Sequence, residues 1–514
     1  MIKSSLVVSK DWLLIWFFAI AKLLIHFFTF ANFELHRDAY LYYAQSEHLA
    51  WGYVAVPPFI AVVGKLATSV FGNTTFALRF FPALIGAINL IIIGLAVREL
   101  GGQKKAIILA SMAYILSPAY MHVNALFQPV SFNHFFWLLS CYLILVMIKR
   151  NDPKIWIWIG AVFGIAFLNK YSIVFLICAF AISLMISKYR YLYTSKYLVF
   201  ALVIGLVIIL PNLVWQYENN WPVLQHMDEL RETQLVHVQT TDFVIEQFFM
   251  NVQALLLWLS ALGVILFYKK EAQYRIFGLI YVFVIALLLL GSGKAYYTLG
   301  IYPILFVIGA YLFEKYIKRY VVYVLSFLVI SMFVSFYASL SFDGIPITTF
   351  EKAVNKDAFR WEDGEYHDIP QDMADMTGWK AVGESVTDLY LSLGESNKYN
   401  CDIFCNHYGQ AGAVMFYGKK FGVPQPISTN GSFIFWAPDS ISGDHAIWVD
   451  YDLGVETDNY LSQYFEEVEL KTVIDDPYFR ESGTRIYLCS KPKEGAKNYY
   501  KTQMTEFKNR YRRR

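Results

Sequence analysis

The residues equipped for chemistry gather in a short polar stretch after the first apolar segment. It reads Glu34-Leu-His-Arg-Asp38-Ala-Tyr-Leu-Tyr-Tyr and runs on to Trp51-Gly-Tyr and Pro57-Pro58. Asp38 is a carboxylate that can take the proton of an attacking hydroxyl, provided it lies within hydrogen-bond reach. Arg37 offers a planar fork of donors that suits a phosphate or orients Asp38. The competing reading of Asp38 is a solvated loop acid that caps a helix over 39–46.

Two lysines form a second group: Lys170 in Leu168-Asn-Lys170-Tyr, and Lys294 in Gly293-Lys294-Ala-Tyr-Tyr297. A departing phosphate needs positive charge as its own charge develops, and an ammonium supplies a point charge. Either lysine is also explained as a side chain reaching for a membrane interface. The Gly-Ser-Gly turn before Lys294 permits close backbone approach and tilts that residue toward phosphate. Arg79 begins an apolar segment and reads as an interface anchor or a second phosphate contact. Trp51, Tyr53, Tyr296 and Tyr297 would stack on a sugar face or join an interfacial aromatic belt.

Metal chemistry finds little support. Glu47 and His48 are neighbours, and neighbours on a helix do not face the same way. No dedicated metal site is expected from Glu34, Glu47 and His48, and a divalent cation is left open through distant residues such as His122 or His226. Zinc would need more ligands at suitable spacing. Cys141 and Cys178 sit in apolar segments, whereas Cys401, Cys405 and Cys489 fall in polar sequence where one disulfide would leave a thiol over. Asn406-His407-Tyr408-Gly409 reads as a turn or as an acceptor-recognising segment.

These residues must be positioned by a membrane-embedded chain. Of 514 residues, 57% are hydrophobic and 16% charged, below the charge of ordinary globular domains. The net charge of +2 gives no global attraction to nucleic acid. The tail Lys508-Asn-Arg-Tyr-Arg-Arg-Arg514 reads as a solvated or headgroup-facing end.

Basic clusters at Lys3/Lys10, Arg98/Lys104/Lys105, Lys149/Arg150/Lys154, Lys188/Arg190/Lys196, Lys269/Lys270/Arg275 and Lys315/Lys318/Arg319 separate the apolar blocks. If all are cytoplasmic, each block between neighbours crosses twice. Lys170, Lys294 and the segment 123–133 then lie at outer hairpin tips. The spans fall near 12–31, 79–98, 106–121, 131–148, 155–169, 171–187, 197–215, 248–267, 276–291, 298–313 and 320–340, eleven in all. Residues 57–70 are apolar but short, and read as a helix along the outer interface. The expected organisation is a transmembrane domain over 1–341, with outer loops 32–78 and 216–247, and an extracytoplasmic mixed α/β domain over 342–514. Strand-like runs there include Ala446-Ile-Trp-Val and Thr484-Arg-Ile-Tyr-Leu-Cys.

Set in order along nearly the whole chain, these stretches resemble the GT-C superfamily of polyprenyl-phosphate-sugar-dependent glycosyltransferases. The likeness is to the bacterial branch related to protein O-mannosyltransferases and the lipid A aminoarabinose transferase. It rests on Arg37-Asp38-Ala-Tyr-Leu-Tyr-Tyr, His48-Leu-Ala-Trp51-Gly-Tyr, Pro57-Pro58, Phe76-Ala-Leu-Arg79-Phe and Leu168-Asn-Lys170-Tyr. It continues through Pro211-Asn-Leu-Val-Trp215-Gln, Gly293-Lys294-Ala-Tyr-Tyr297, Tyr408-Gly-Gln-Ala-Gly-Ala and Tyr417-Gly418.

The resemblance implies an inner-membrane enzyme with an extracytoplasmic site. It implies sugar transfer, with inversion at the anomeric carbon, from a polyprenyl-phosphate donor to a lipid, glycan or protein acceptor. It points to Asp38 as general base and to Arg37, Lys170, Lys294, Tyr297, Arg79 and Trp51 as donor contacts. The family usually places a second acid directly after the Asp, where this chain has Ala39. A transporter or flippase for lipid-linked saccharides is the alternative, as is a non-catalytic binder. A transporter calls for ionisable residues within its spans, and the spans read as nearly free of charge.

Overall fold

The computed structural model describes residues 10–317, 321–339, 349–398, 400–441 and 443–512. Lys3, Lys318, Arg319, Arg513 and Arg514, on which parts of the charge reading rest, lie outside them. The chain folds into two compact units. One draws on Met1–Phe30, Arg79–Pro211 and Arg231–Thr348, the other on Ala31–Leu78, Asn212–Leu230 and Thr349–Arg514. The expected outer loop 32–78 thus groups with the C-terminal sequence, whereas the loop 216–247 is split, 216–230 with that unit and 231–247 with the first.

The first unit is helical, as its long apolar runs require: backbone groups in a lipid core must be satisfied within the segment. Among the described residues, six helical stretches are long and apolar enough to cross a membrane, including Thr75–Leu100, Pro129–Arg150 and Lys196–Glu218. A bent pair, Thr240–Phe249 with Val252–Phe267, turns by 61° and would make a seventh. Ile155–Asn169 and Ile173–Ile186 are shorter apolar helices, and Lys104–Ile115 is followed by Pro118–Val123 across a break. The chain is therefore a polytopic helical membrane protein.

Turns fall where polar residues interrupt the apolar runs. Lys170 separates Ile155–Asn169 from Ile173–Ile186, and Gly291-Ser292-Gly293 closes Arg275–Leu290 before Lys294. Ser117 caps the helix that opens with Pro118 by accepting the Tyr120 N–H.

One feature of this unit corrects the sequence reading. The helix Lys10–Thr29 carries Lys22, whose side chain is fully buried. Its Nζ donates to the Tyr120 carbonyl at 3.0 Å and to Met121 Sδ at 3.1 Å. His26, one turn on, is also buried, and neither ring nitrogen has a hydrogen-bond partner. The spans are thus not free of ionisable groups.

The second unit is mixed. Its main sheet has four strands in the order Cys401–Cys405, His445–Asp450, Thr484–Pro492, Phe465–Ile474. The first pair is parallel and the other two are antiparallel. The runs Ala446–Val449 and Thr484–Cys489 are strands as expected. Cys401, Cys405 and Cys489 are buried free thiols on two of these strands. Helix Phe59–Phe71 follows Pro57-Pro58 and stops at Gly72, whose φ of 74° suits glycine.

Candidate functional site

Asp38 stands in the first turn of the helix Arg37–Glu47, where a negative charge is favoured by the helix dipole. It does not cap that helix. His36 does, its Nδ1 accepting the Asp38 backbone N–H at 3.1 Å. The segment is docked by two backbone hydrogen bonds, Glu34 N–H to the Met376 carbonyl at 3.0 Å and Arg37 N–H to the Asp375 carbonyl at 2.9 Å.

The partner of Asp38 arrives from 370 residues away. The Tyr408 hydroxyl donates to Asp38 Oδ1 at 2.6 Å. Tyr408 opens the helix Tyr408–Gly418, which starts with a reciprocal cap: His407 Nδ1 accepts from Gly409 N–H, and Gln410 accepts from His407 N–H. This helix lies against Arg37–Glu47 because Gly412 has no side chain. A Cβ there would stand 2.6 Å from the Tyr40 carbonyl oxygen. The two helices are also joined by the Tyr40 and Tyr417 hydroxyls, 3.1 Å apart.

Around Asp38 lies a network of buried charge. Arg37 Nε sits 3.9 Å from Asp38 Oδ1 and 3.6 Å from Asp375 Oδ1, and Arg37 Nη2 reaches Glu362 at 3.4 Å. Arg480 binds the same two acids, Asp375 at 3.2 Å and Glu362 at 3.1 Å. His36 Nε2 faces Asp372 and Asp375 at 3.5 and 3.6 Å. Arg37 is therefore engaged by carboxylates and stacks over the Tyr408 ring, its guanidinium 5.5 Å from the centroid.

These neighbours set the ionisation of the site. Burial would raise the Asp38 pKa, but the charges of His36 and Arg37 and the Tyr408 hydrogen bond outweigh it and hold it below the usual carboxylate range. Burial would lower His36, yet the hydrogen bond to Asp372 and the charges of Asp38 and Asp375 raise it to about 9. Cap and charge compete for this ring, since a proton on Nδ1 would displace the Asp38 amide. Burial, reinforced by Arg37 and Arg480, lowers His407 to about 3. Burial raises Glu481, which accepts from Gln410 at 2.9 Å, to about 7. The Asp38 side chain remains 28% exposed, so an ionised carboxylate is held in a fixed pose with a path to a reactant.

His36, Asp372 and Asp375 are the one group among the described residues with ligand atoms close enough to hold a metal ion, all within 4.8 Å. The donor set fits a divalent cation poorly. Arg37 and Arg480 already neutralise Asp375, and His36 carries a raised pKa that favours the proton over a metal.

The other candidates divide as follows. Trp51 belongs to the second unit; the residue is 57% exposed, and its carbonyl accepts from Asn212 Nδ2 at 2.7 Å. In the first unit, Lys170 Nζ lies over Tyr297 and Tyr296, 4.8 and 5.2 Å from the ring centroids. The cation–π pair joins two turns that sequence alone could not pair. Lys294 Nζ donates to Gln234 Oε1 at 2.7 Å. Arg79 is not an exposed anchor: it is buried and donates to the Phe30 carbonyl. Sequence reasoning missed the roles of His36, Glu362, Asp372, Asp375, Arg480 and Glu481. The available signal was a histidine two residues before a helical N–H at both His36 and His407.

The comparisons with known proteins agree with this architecture. Residues 55–215 match the family described as dolichyl-phosphate-mannose-protein mannosyltransferase. That match begins after Asp38. The lipid A galacturonosyltransferase RgtD of Rhizobium johnstonii is 25% identical over 195 residues, 38% of this chain and 41% of the relative. The chain thus spans about two fifths of that relative's length. ArnT from Cupriavidus metallidurans bound to undecaprenyl phosphate has a similar fold, with a TM-score of 0.62 at 12% identity over 92% of this chain and 97% of that one. Its apo form gives 0.58 at 11% identity with the same coverage. The fold over most of the chain is thus ArnT-like, and residues 55–215 carry its likeness to a glycosyltransferase family.

Proposed function

We propose that this protein is an inverting glycosyltransferase that moves a sugar from a polyprenyl-phosphate donor to an extracytoplasmic acceptor, with Asp38 as general base. The observation that carries the reading is the Asp38 carboxylate, kept ionised by Tyr408, His36 and Arg37 yet part-exposed. In the proposed step the acceptor hydroxyl oxygen attacks the anomeric carbon. The bond from that carbon to the phosphate oxygen breaks, the phosphate leaves with the electron pair, and the hydroxyl proton passes to Asp38. One carboxylate suffices because the phosphate is a good leaving group, unlike the paired acids of glycoside hydrolysis.

Lys170 and Lys294 are assigned to the donor phosphate, with Tyr297 holding Lys170 in place. Arg37 is assigned to positioning Asp38, since its guanidinium is ion-paired with Asp375 and Glu362. The exposed Trp51 is assigned to the sugar or the lipid. Arg79, buried on the Phe30 carbonyl, is not assigned to the donor. The ArnT bound to undecaprenyl phosphate supports a polyprenyl-linked donor. The relative named for lipid A favours a lipid acceptor over a protein. The protein would then sit in the inner membrane with some eleven crossings and its C-terminal domain outside.

A flippase reading draws on Lys22 and His26, ionisable groups inside a span. Lys22, however, spends its donors on a carbonyl and a thioether of its own unit, which suits an internal tie. Proteoliposomes given radiolabelled polyprenyl-phosphate sugars separate the two. Transfer of label to an acceptor with no donor translocation supports the enzyme. Translocation without transfer overturns it.

A further inference from the structure

We propose that the C-terminal sheet carries a second ligand site, for a neutral or N-acetylated hexose oligosaccharide, separate from Asp38. The strands Cys401–Cys405 and His445–Asp450 and the helix Ala496–Asn509 bound a cavity of about 420 Å³. A packing defect is smaller: native interiors hold few voids larger than a water, whose share of liquid is about 30 Å³. The volume falls among ligand pockets of about 300–1,000 Å³. None of Arg37, Asp38 and Tyr408 lines it.

The lining has a particular chemistry. Six rings of the lining make successive contacts: Tyr500, Phe404, Trp448, Tyr460, Tyr464 and Tyr499, each within 4.8–6.1 Å of the next between centroids. A ring face turned to the cavity accepts the C–H face of a pyranose. Polar groups meet the rings inside the cavity. The Trp448 indole N–H is buried without a hydrogen-bond partner. Asp402, which accepts from Gly443 N–H at 3.1 Å, and the Asn406 amide also line the wall. An acyl chain would leave the Trp448 N–H unpaired at a cost; a sugar hydroxyl pairs with it. Asp402 and Asp452 outnumber Lys497 in the lining and disfavour a uronic acid. The site stands whether or not Asp38 is the base, because it uses none of that machinery.

The test is saturation-transfer NMR on the full-length protein in nanodiscs, free of sugar-headed detergent, with maltotriose, chitotriose and trigalacturonate as probes. Maltotriose or chitotriose should bind, and trigalacturonate should bind at least tenfold more weakly. Trp448→Ala should weaken binding at least tenfold. Tyr499→Ala should do the same, and because Tyr499 is 43% exposed at the rim its removal leaves the fold intact, which thermal unfolding verifies. No signal from either uncharged saccharide, or equal binding by wild type and the folded Tyr499→Ala protein, overturns the proposal. So does cis-parinaric acid binding in the cavity that neither saccharide displaces.

Discussion

Replacing Gly412 by alanine should disable the site through one methyl group. The added Cβ would lie 2.6 Å from the Tyr40 carbonyl oxygen and 2.7 Å from its carbonyl carbon and Cβ. Backbone atoms cannot rotate aside, so the helices Tyr408–Gly418 and Arg37–Glu47 must part by about 0.8 Å to regain ordinary contact. The Tyr408–Asp38 hydrogen bond, now 2.6 Å, would leave the range of about 2.5–3.0 Å for such bonds. Overpacking of this kind costs about 1–3 kcal/mol, and a misplacement near 1 Å costs about a hundredfold in rate. Transfer should therefore fall about 10- to 100-fold, with a lowered thermal midpoint. The control is Gly394→Ala, where a Cβ meets nothing within 4 Å and stability should move by less than about 0.5 kcal/mol. The assay is radiolabelled transfer in nanodiscs alongside thermal unfolding of the three proteins. A Gly412→Ala protein as active and as stable as wild type refutes the helix contact that aims Tyr408.

Three further outcomes follow from the same geometry. Asp38 has a depressed pKa, so the ionised base is present above it and is lost as pH falls through it; Tyr408→Phe removes one depressing contact and should shift the acid limb of transfer to higher pH. An unmoved limb would remove Tyr408 from the account. Glu481 titrates near 7 in the fold against 4.5 unfolded, so the folded state holds the extra proton, and stability should fall as pH rises between those values. The size is up to about 3 kcal/mol at 1.36 kcal/mol per unit, and Glu481→Gln should flatten it in thermal unfolding at pH 5 and pH 8; an unchanged slope would count against it. Lys294→Ala should weaken polyprenyl phosphate binding about tenfold or more, in a salt-dependent way, measured by competition with labelled donor. Unchanged affinity would release Lys294 from that role.

Much of the scaffold was legible because apolar runs, turns and charge clusters are local signals. The breaks at Lys170 and Gly291–Lys294 fall where polar residues interrupt hydrophobic sequence, and the strands around Ala446 and Ile486 show in β-branched and aromatic runs. Asp38 stood out by its neighbourhood. Its partners did not, since Tyr408 lies 370 positions away, and Asp375, Glu362 and Arg480 are ordinary surface residue types until the fold buries them together. Arg79 misled because a cation opening an apolar helix usually marks an interface, whereas here it satisfies the Phe30 carbonyl inside the unit. Lys22 was overlooked because one lysine in a long apolar run hardly alters its average. The grouping of 31–78 with the C-terminal sequence is carried by contacts of high sequence separation, such as Glu34 to Met376, which no local pattern announces.

The central claim is that Asp38 takes the acceptor proton. Its direct test is Asp38→Asn, which keeps the size of the side chain and can still accept from Tyr408. Donor binding and sugar transfer would be measured on the same nanodisc preparation. The account predicts unchanged polyprenyl-phosphate-sugar binding, with transfer reduced by about 10²–10⁴-fold, the usual contribution of a general base. Transfer at the wild-type rate by a donor-binding Asp38→Asn protein would contradict it.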